Sequence, residues 1–187
     1  MFTRQLRAAL ICAIGALILT KSVAAPATGA QARAAREARQ ARQVAEQIGV
    51  YKRVTWHWEH VIGLRRTPST NSAERSPDLA YRRWVLGRWK RRAAQLLARA
   101  SAPPHRAGWS CIHRFEGSWH SNTGNGYYGG LQMDLGFQRR YGAYLLRRKG
   151  TADRWSPLEQ MWVAEHAHRS GRGFYPWPNT ARYCRLL

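Results

Sequence analysis

At 187 residues the chain has room for one domain, or for a small domain with an appended helical arm. It holds 31 Lys and Arg against 10 Asp and Glu, a formal charge of +21 that implies a polyanionic partner, either nucleic acid or an anionic cell envelope. Nine Trp and eight Tyr exclude a merely disordered basic tail, because they supply material for a core.

Residues 1–7 carry Arg4 and Arg7, and residues 8–20 form an almost unbroken apolar run too short to span a bilayer comfortably. Residues 1–30 therefore read as a secretory signal, with small residues for cleavage at 25–27 or 28–30. Lys21 behind the run leaves an uncleaved N-terminal anchor as the alternative. Export predicts a secreted protein and argues against nucleic acid as the partner. It also changes how the cysteines read. Cys12 leaves with the signal, and Cys111 and Cys184, 73 residues apart, are expected to pair in an oxidising compartment.

Residues 31–104 read as a basic helical region. Arginines at 33, 36, 39 and 42 make a solvated basic stripe, and Tyr51, Val54, Trp58, Val61 and Ile62 follow helical spacing with a buried face. Residues 67–76 are polar, contain Pro68 and read as a loop. Ser76-Pro77 is the expected cap of a second helix that carries Tyr81, Trp84, Val85, Trp89, Leu96 and Leu97 to about Ala100. Pro103-Pro104 breaks it and marks the expected boundary of a domain at 105–187. The first 104 residues hold 19 Lys and Arg against 5 Asp and Glu, and the rest hold 12 against 5. The basic region is thus either a solvated helical hairpin packed on the domain or a tether to anionic wall polymers or a membrane surface. His57, His60, His166 and His168 have spacings that imply no third ligand, so neither a metal site nor any cofactor is expected.

Residues 108–119 read as a helix with Trp109, Ile112 and Glu116 on one face. A carboxyl on an apolar stripe is partly desolvated, which favours its neutral form, and glycoside cleavage needs such an acid. The competing reading is a helix-end glutamate paired with Arg114. Residues 121–132 follow, with four glycines, Asn122, Asn125 and the adjacent Tyr127 and Tyr128, and suggest a short hairpin. Amides and hydroxyls suit sugar hydroxyls, rings suit the apolar faces of a sugar, and glycine permits close approach. Ser156-Pro157-Leu158-Glu159 is a capping box that opens a helix. Glu165 on that helix is expected to pair at the surface with His168 or Arg169, and Asp134 to cap the helix near Leu135.

The run at 122–132, preceded by Glu116 and followed by Glu159-Gln160, Val163-Ala164-Glu165 and Trp177-Pro178, resembles the resuscitation-promoting factor domain. That family consists of actinobacterial wall-cleaving proteins with a lysozyme-like, transglycosylase-like fold. The resemblance covers about 109–184, under half the chain. It implies a mainly α fold, of the α+β lysozyme-like type, with a short hairpin. It makes Glu116 the single catalytic glutamate and lines the glycan groove with Asn122, Thr123, Asn125, Tyr127, Tyr128, Gln132 and Trp177. It implies cleavage of the β-1,4 bond between N-acetylmuramic acid and N-acetylglucosamine in peptidoglycan strands, as a hydrolase or a lytic transglycosylase. A wall-binding or signalling protein with little turnover is the alternative, and a nucleic-acid binder a remote one. The chain departs from the family in its cysteines. In most members the first directly precedes the glutamate, whereas Cys111 lies five residues before Glu116 and Cys184 lies seven after Trp177. A bridge moved outward by about one helical turn at each end accounts for both displacements.

Overall fold

The Ala/Arg/Gln-rich stretch and the aromatic stretch after it form one helix of 34 residues, α1 (Gly29–Ile62), in a computed structural model that describes residues 28–187. The secretory-signal reading and Cys12 lie outside the described residues. Thr28 opens α1 with a capping box to Gln31, and Gly63 closes it in the left-handed region, its N–H bonded to the carbonyls of Glu59 and His60. The four stripe arginines are all outside the buried face. Val61 and Ile62 are buried as expected, but Val44, Ile48, Lys52, Thr55 and Glu59 line the rest of that face, while Tyr51, Val54 and Trp58 are only half-buried.

The second long helix, α3 (Leu79–Ala100), is capped by Asp78, which accepts from the N–H groups of Ala80 and Tyr81. Ser76 is not the cap; its Oγ accepts from Asp78 N one turn earlier. Tyr81, Trp84 and Leu97 are exposed, and Val85, Leu86, Trp89, Ala93, Leu96 and Ala100 are buried. The pairs Arg83–Gln40, Trp89–Trp56 and Arg92–Glu59 advance along both helices together, so α1 and α3 run parallel. A hairpin would have run them antiparallel. The connection doubles back along α1 instead, with the short α2 (Asn71–Glu74) where only loop was expected.

The polar seam on α1 explains that path. Buried charges must be paired. Lys52 Nζ bonds Ser69 Oγ at 3.0 Å, Asn71 Oδ1 at 2.8 Å and Glu74 Oε1 at 2.8 Å. Glu59, with no exposed surface, accepts from Thr67 N, Thr67 Oγ1 and Arg92. The returning segment is the cover that this seam requires.

The arm has its own small core around Ile48, Val85 and Trp89. Its far end enters the main core, where Val61, Ile62, Leu96 and Ala100 pack with Trp109, Ile112, Leu131, Trp155, Trp162 and Trp177. Trp162 Nε1 donates to Ala100 O at 2.8 Å, and His166 Nε2 lies 2.8 Å from Val61 O.

The C-terminal half builds α4 (Arg106–Glu116), β1 (Tyr127–Tyr128) and β2 (Met133–Asp134), then α5 (Leu135–Tyr141), α6 (Ala143–Lys149), α7 (Pro157–Ala167) and α8 (Pro178–Tyr183). The strands pair antiparallel, with Tyr127 opposite Asp134 and Tyr128 opposite Met133. The fold is mainly α with a small β part. Ser156, Pro157 and Glu159 form the expected capping box of α7, and Asp134 caps α5 by accepting from Phe137 N at 2.7 Å. Cys111 and Cys184 are joined in a disulfide that ties α4 to the residue after α8.

Candidate active site

Glu116 is the last residue of α4 and is half-buried. The helix ends there because Gly117 takes φ 145°. A Cβ on Gly117 would come within 3.0 Å of Ser121 Oγ, so the chain turns tightly from the carboxylate into the hairpin. Glu116 Oε1 accepts from Thr180 Oγ1 at 2.7 Å. Thr180 lies on α8, the helix that the disulfide holds against α4.

The same threonine hydroxyl lies 3.3 Å from Trp177 O. Trp177 directly precedes α8 and is almost fully buried, with Nε1 donating to Leu131 O at 2.6 Å and its ring against Trp109 and Phe137. It forms one wall of an open groove of about 440 Å³, also lined by Tyr127, Gln132, Arg140, Tyr141 and Arg172. Glu116 itself is not on that lining. Two links join it to the groove: Thr180 to Trp177, and Gly117, whose Cβ position lies 3.8 Å from Gln132 Nε2.

Three of the expected sugar-contacting residues, Tyr127, Gln132 and Trp177, therefore meet at the groove. Tyr128 is half-buried, bridges Asn122 and packs on the core. Asn122, Thr123 and Asn125 are exposed and absent from the groove lining, and Asn125 Oδ1 accepts from Tyr127 N at 3.0 Å within the turn.

The hairpin rests on Gln160, which has no exposed surface. Its Oε1 accepts from Gly130 N at 2.8 Å, and its Nε2 faces the carbonyls of Trp119, Ala152 and Trp155. Gly129, at φ 74°, lies so close that its Cβ would fall 2.8 Å from Gln160 Cδ. Gln138 does the same for β2, donating to Met133 O and accepting from Ala152 N. Neither glutamine stood out as a positioning residue from spacing alone. A polar side chain on the buried face of an otherwise apolar helix is the signal that marks them.

The five carboxylates of residues 105–187 divide by their partners. Asp134 caps α5. Glu159 is buried between Lys149 Nζ at 2.6 Å, His57 Nε2 at 2.8 Å and Ser156 N at 2.7 Å. Burial pushes its carboxyl up, but the bonds from His57, Lys149 and Ser156 together outweigh this and hold it at about 2. Glu165 is fully buried and accepts from His105 N at 2.7 Å and Trp109 Nε1 at 2.8 Å, with His105 Nδ1 3.1 Å away. The surface pairing expected for Glu165 is thus replaced by a buried anchor for the start of α4. Trp109, expected beside Glu116, spends its N–H there. Asp153 lies in the Ala152–Arg154 turn with Oδ1 buried and unpartnered. Glu116 alone ends a helix with nothing but a hydroxyl on its carboxylate.

His105, Glu165 and His168 bring three potential metal-ligand atoms within 4.8 Å of one another, a grouping invisible to spacing because His105 is 60 residues from Glu165. Burial, and next the charge of His105, pulls His168 below its ordinary value. Both Glu165 oxygens already face N–H donors or the His105 ring, and the arrangement holds α4 to α7.

Residues 104–180 match the family described as a transglycosylase-like domain. Resuscitation-promoting factor RpfE of Mycobacterium tuberculosis is 40% identical over 87 residues, which are 43% of this chain and 47% of that protein. The chain thus spans about half the length of the curated relative it matches. The half of the chain that holds Glu116, the hairpin and the groove is a transglycosylase-like domain related to that of resuscitation-promoting factors.

Proposed function

We propose that the chain is a secreted, wall-associated enzyme that cleaves peptidoglycan strands at the β-1,4 bond between N-acetylmuramic acid and N-acetylglucosamine, with Glu116 as general acid and then base. The observation that carries this is the division of the carboxylates. Asp134, Glu159 and Glu165 are bound to backbone N–H groups or cations, Asp153 lies in the Ala152–Arg154 turn, and Glu116 holds only the Thr180 hydroxyl, which links it to Trp177 of the groove.

Thr180 suits both states of an acid that gives and regains a proton. Its O–H donates to the Glu116 carboxylate at 2.7 Å, and rotation toward Trp177 O frees a lone pair to accept from the protonated acid. Glu116 passes its proton to the leaving glycosidic oxygen as the bond breaks through an oxocarbenium-like state. Capture of the glycosyl cation by the sugar's own C6 hydroxyl, which returns a proton to Glu116, leaves an anhydro end. Capture by water instead leaves a reducing end. Tyr127, Gln132 and Trp177 supply the ring faces and amide for the strand.

The test is mass spectrometry of soluble products released from purified peptidoglycan by the wild-type and Glu116→Gln chains. Release by wild type and its loss in the variant support the assignment, and the end group names the capturing hydroxyl. Equal release by both overturns it.

A further inference from the structure

Where the arm meets the domain, three arginines converge. Arg53 of α1, Arg66 of the returning segment and Arg148 of α6 surround a cleft of about 190 Å³. Trp56 and Tyr144 form its aromatic walls. The Arg66 guanidinium lies 3.8 Å from the Trp56 ring centre, and that of Arg148 lies 5.3 Å from Tyr144. Trp56 is itself fixed by its Nε1 bond to Thr67 O at 2.9 Å. His57 and His60 complete the cleft.

Among the described residues none of these arginines forms an ion pair. Glu159, the carboxylate bonded to His57 of the cleft wall, is shared with Lys149 and pairs with none of the three. Burial, then the charges of Arg147 and His57, pulls His60 below its ordinary value, as expected where positive charge accumulates.

The cleft is also linked to the groove by shared lining residues. His60 and Tyr144 are shared with a neighbouring hollow of about 360 Å³ that includes Arg140, Tyr141 and Arg147. Arg140 and Tyr141 in turn line the groove beside Trp177. Three neighbouring hollows thus share walls between the groove and the arm.

We propose that this cleft is an oxyanion-binding site for the substrate polymer, taking a phosphodiester or carboxylate group carried by the wall material whose glycan strand lies in the groove. Stacked guanidinium groups are oriented before binding, and their planar forks match such oxyanions. The flanking rings accept the sugar or polyol that carries the charge. The identity of the polymer rests on the function proposed above; the oxyanion site does not.

The probe is pyrophosphate, titrated at fixed ionic strength into the full chain and followed by tryptophan fluorescence. One variant carries Arg53→Gln, Arg66→Gln and Arg148→Gln. Its control removes the same charge from the exposed stripe through Arg33→Gln, Arg36→Gln and Arg39→Gln. All six arginines are exposed, so neither variant opens the core. The cleft variant is expected to lose ~10-fold or more in affinity and the control less than ~2-fold. Equal losses in both, or none in either, overturn the proposal.

Sedimentation with insoluble walls then separates the sources. Walls are used before and after hydrofluoric acid removes phosphodiester-linked polymers. A difference between cleft and control variants that disappears with the phosphate assigns a phosphodiester, and one that persists assigns the stem carboxylates. Both agree with the site. A Glu116→Gln chain that still cleaves defeats the proposed reaction but leaves the pyrophosphate contrast intact. Loss of that contrast in a chain whose cleavage still depends on Glu116 defeats the cleft alone.

Discussion

Replacing Cys111 and Cys184 together by serine removes a cross-link over 73 residues, nearly the whole C-terminal half. The chain-entropy treatment assigns a loop of that length about 4 kcal/mol of stabilisation through the unfolded state. Little offsets this in the folded state, because both positions are half-buried and the serine hydroxyls reach water. For a chain of this size about 4 kcal/mol corresponds to a fall in Tm of about 10–15 °C. The assay is thermal unfolding followed by far-ultraviolet circular dichroism, with the oxidised wild type as reference. Cleavage at low temperature is expected to fall as well, since the bridge holds α8 and hence Thr180 against Glu116. A Tm change below ~3 °C refutes the reasoning, because it means that closing this loop restricts the unfolded chain very little.

Glu165→Ala leaves Trp109 Nε1 and His105 N without their acceptor and is expected to cost about 3–5 kcal/mol, read from the urea midpoint. Glu165→Gln keeps one carbonyl and is expected to lose less. Glu159 titrates at about 2 in the folded protein, below its ordinary value of 4.5. Its contribution to stability is therefore complete above about pH 4.5 and is lost as pH falls toward 2. Urea titrations across that window are expected to show the loss in wild type and a flatter dependence in Glu159→Gln. Thr180→Val removes the bond to Glu116 and is expected to lower kcat by about fivefold to tenfold, as for a hydrogen bond of about 1 kcal/mol. An unchanged kcat in that variant removes Thr180 from the mechanism.

What was legible in the sequence is local. The capping box at Ser156 and Glu159, the cap at Asp134 and the glycine-rich hairpin each depend on residues within a few positions of one another. The second cap was displaced because Ser76 and Asp78 both suit the role, and only Asp78 faces the first N–H groups of α3. Local spacing puts Glu165 on α7 but not with its partners, since His105 and Trp109 reach it across 60 and 56 residues. Of the expected groove residues, the turn keeps Asn125 for its own backbone, while Tyr127, Gln132 and Trp177 are brought together. Asn122, Thr123 and Asn125 stand apart from the groove lining because they lie in the solvent-exposed stretch before β1.

The direction of α3 is the largest departure, and it bears directly on the cleft. An antiparallel hairpin needs only a short turn after Gly63, and would leave Lys52 and Glu59 on the buried face of α1 without Ser69, Asn71, Glu74 and Thr67. Uncompensated buried charge costs several kcal/mol, so the segment after α1 runs back along the seam. That path lays Thr67 against Trp56 Nε1 and Arg66 over the Trp56 ring. The cation that completes the cleft toward α6 is thus placed by the same contacts that neutralise Lys52 and Glu59. Lys52→Met with Glu74→Met tests this coupling. It is expected to loosen the returning segment and weaken pyrophosphate binding although neither residue lines the cleft, and unchanged affinity in a folded variant would separate the seam from the site.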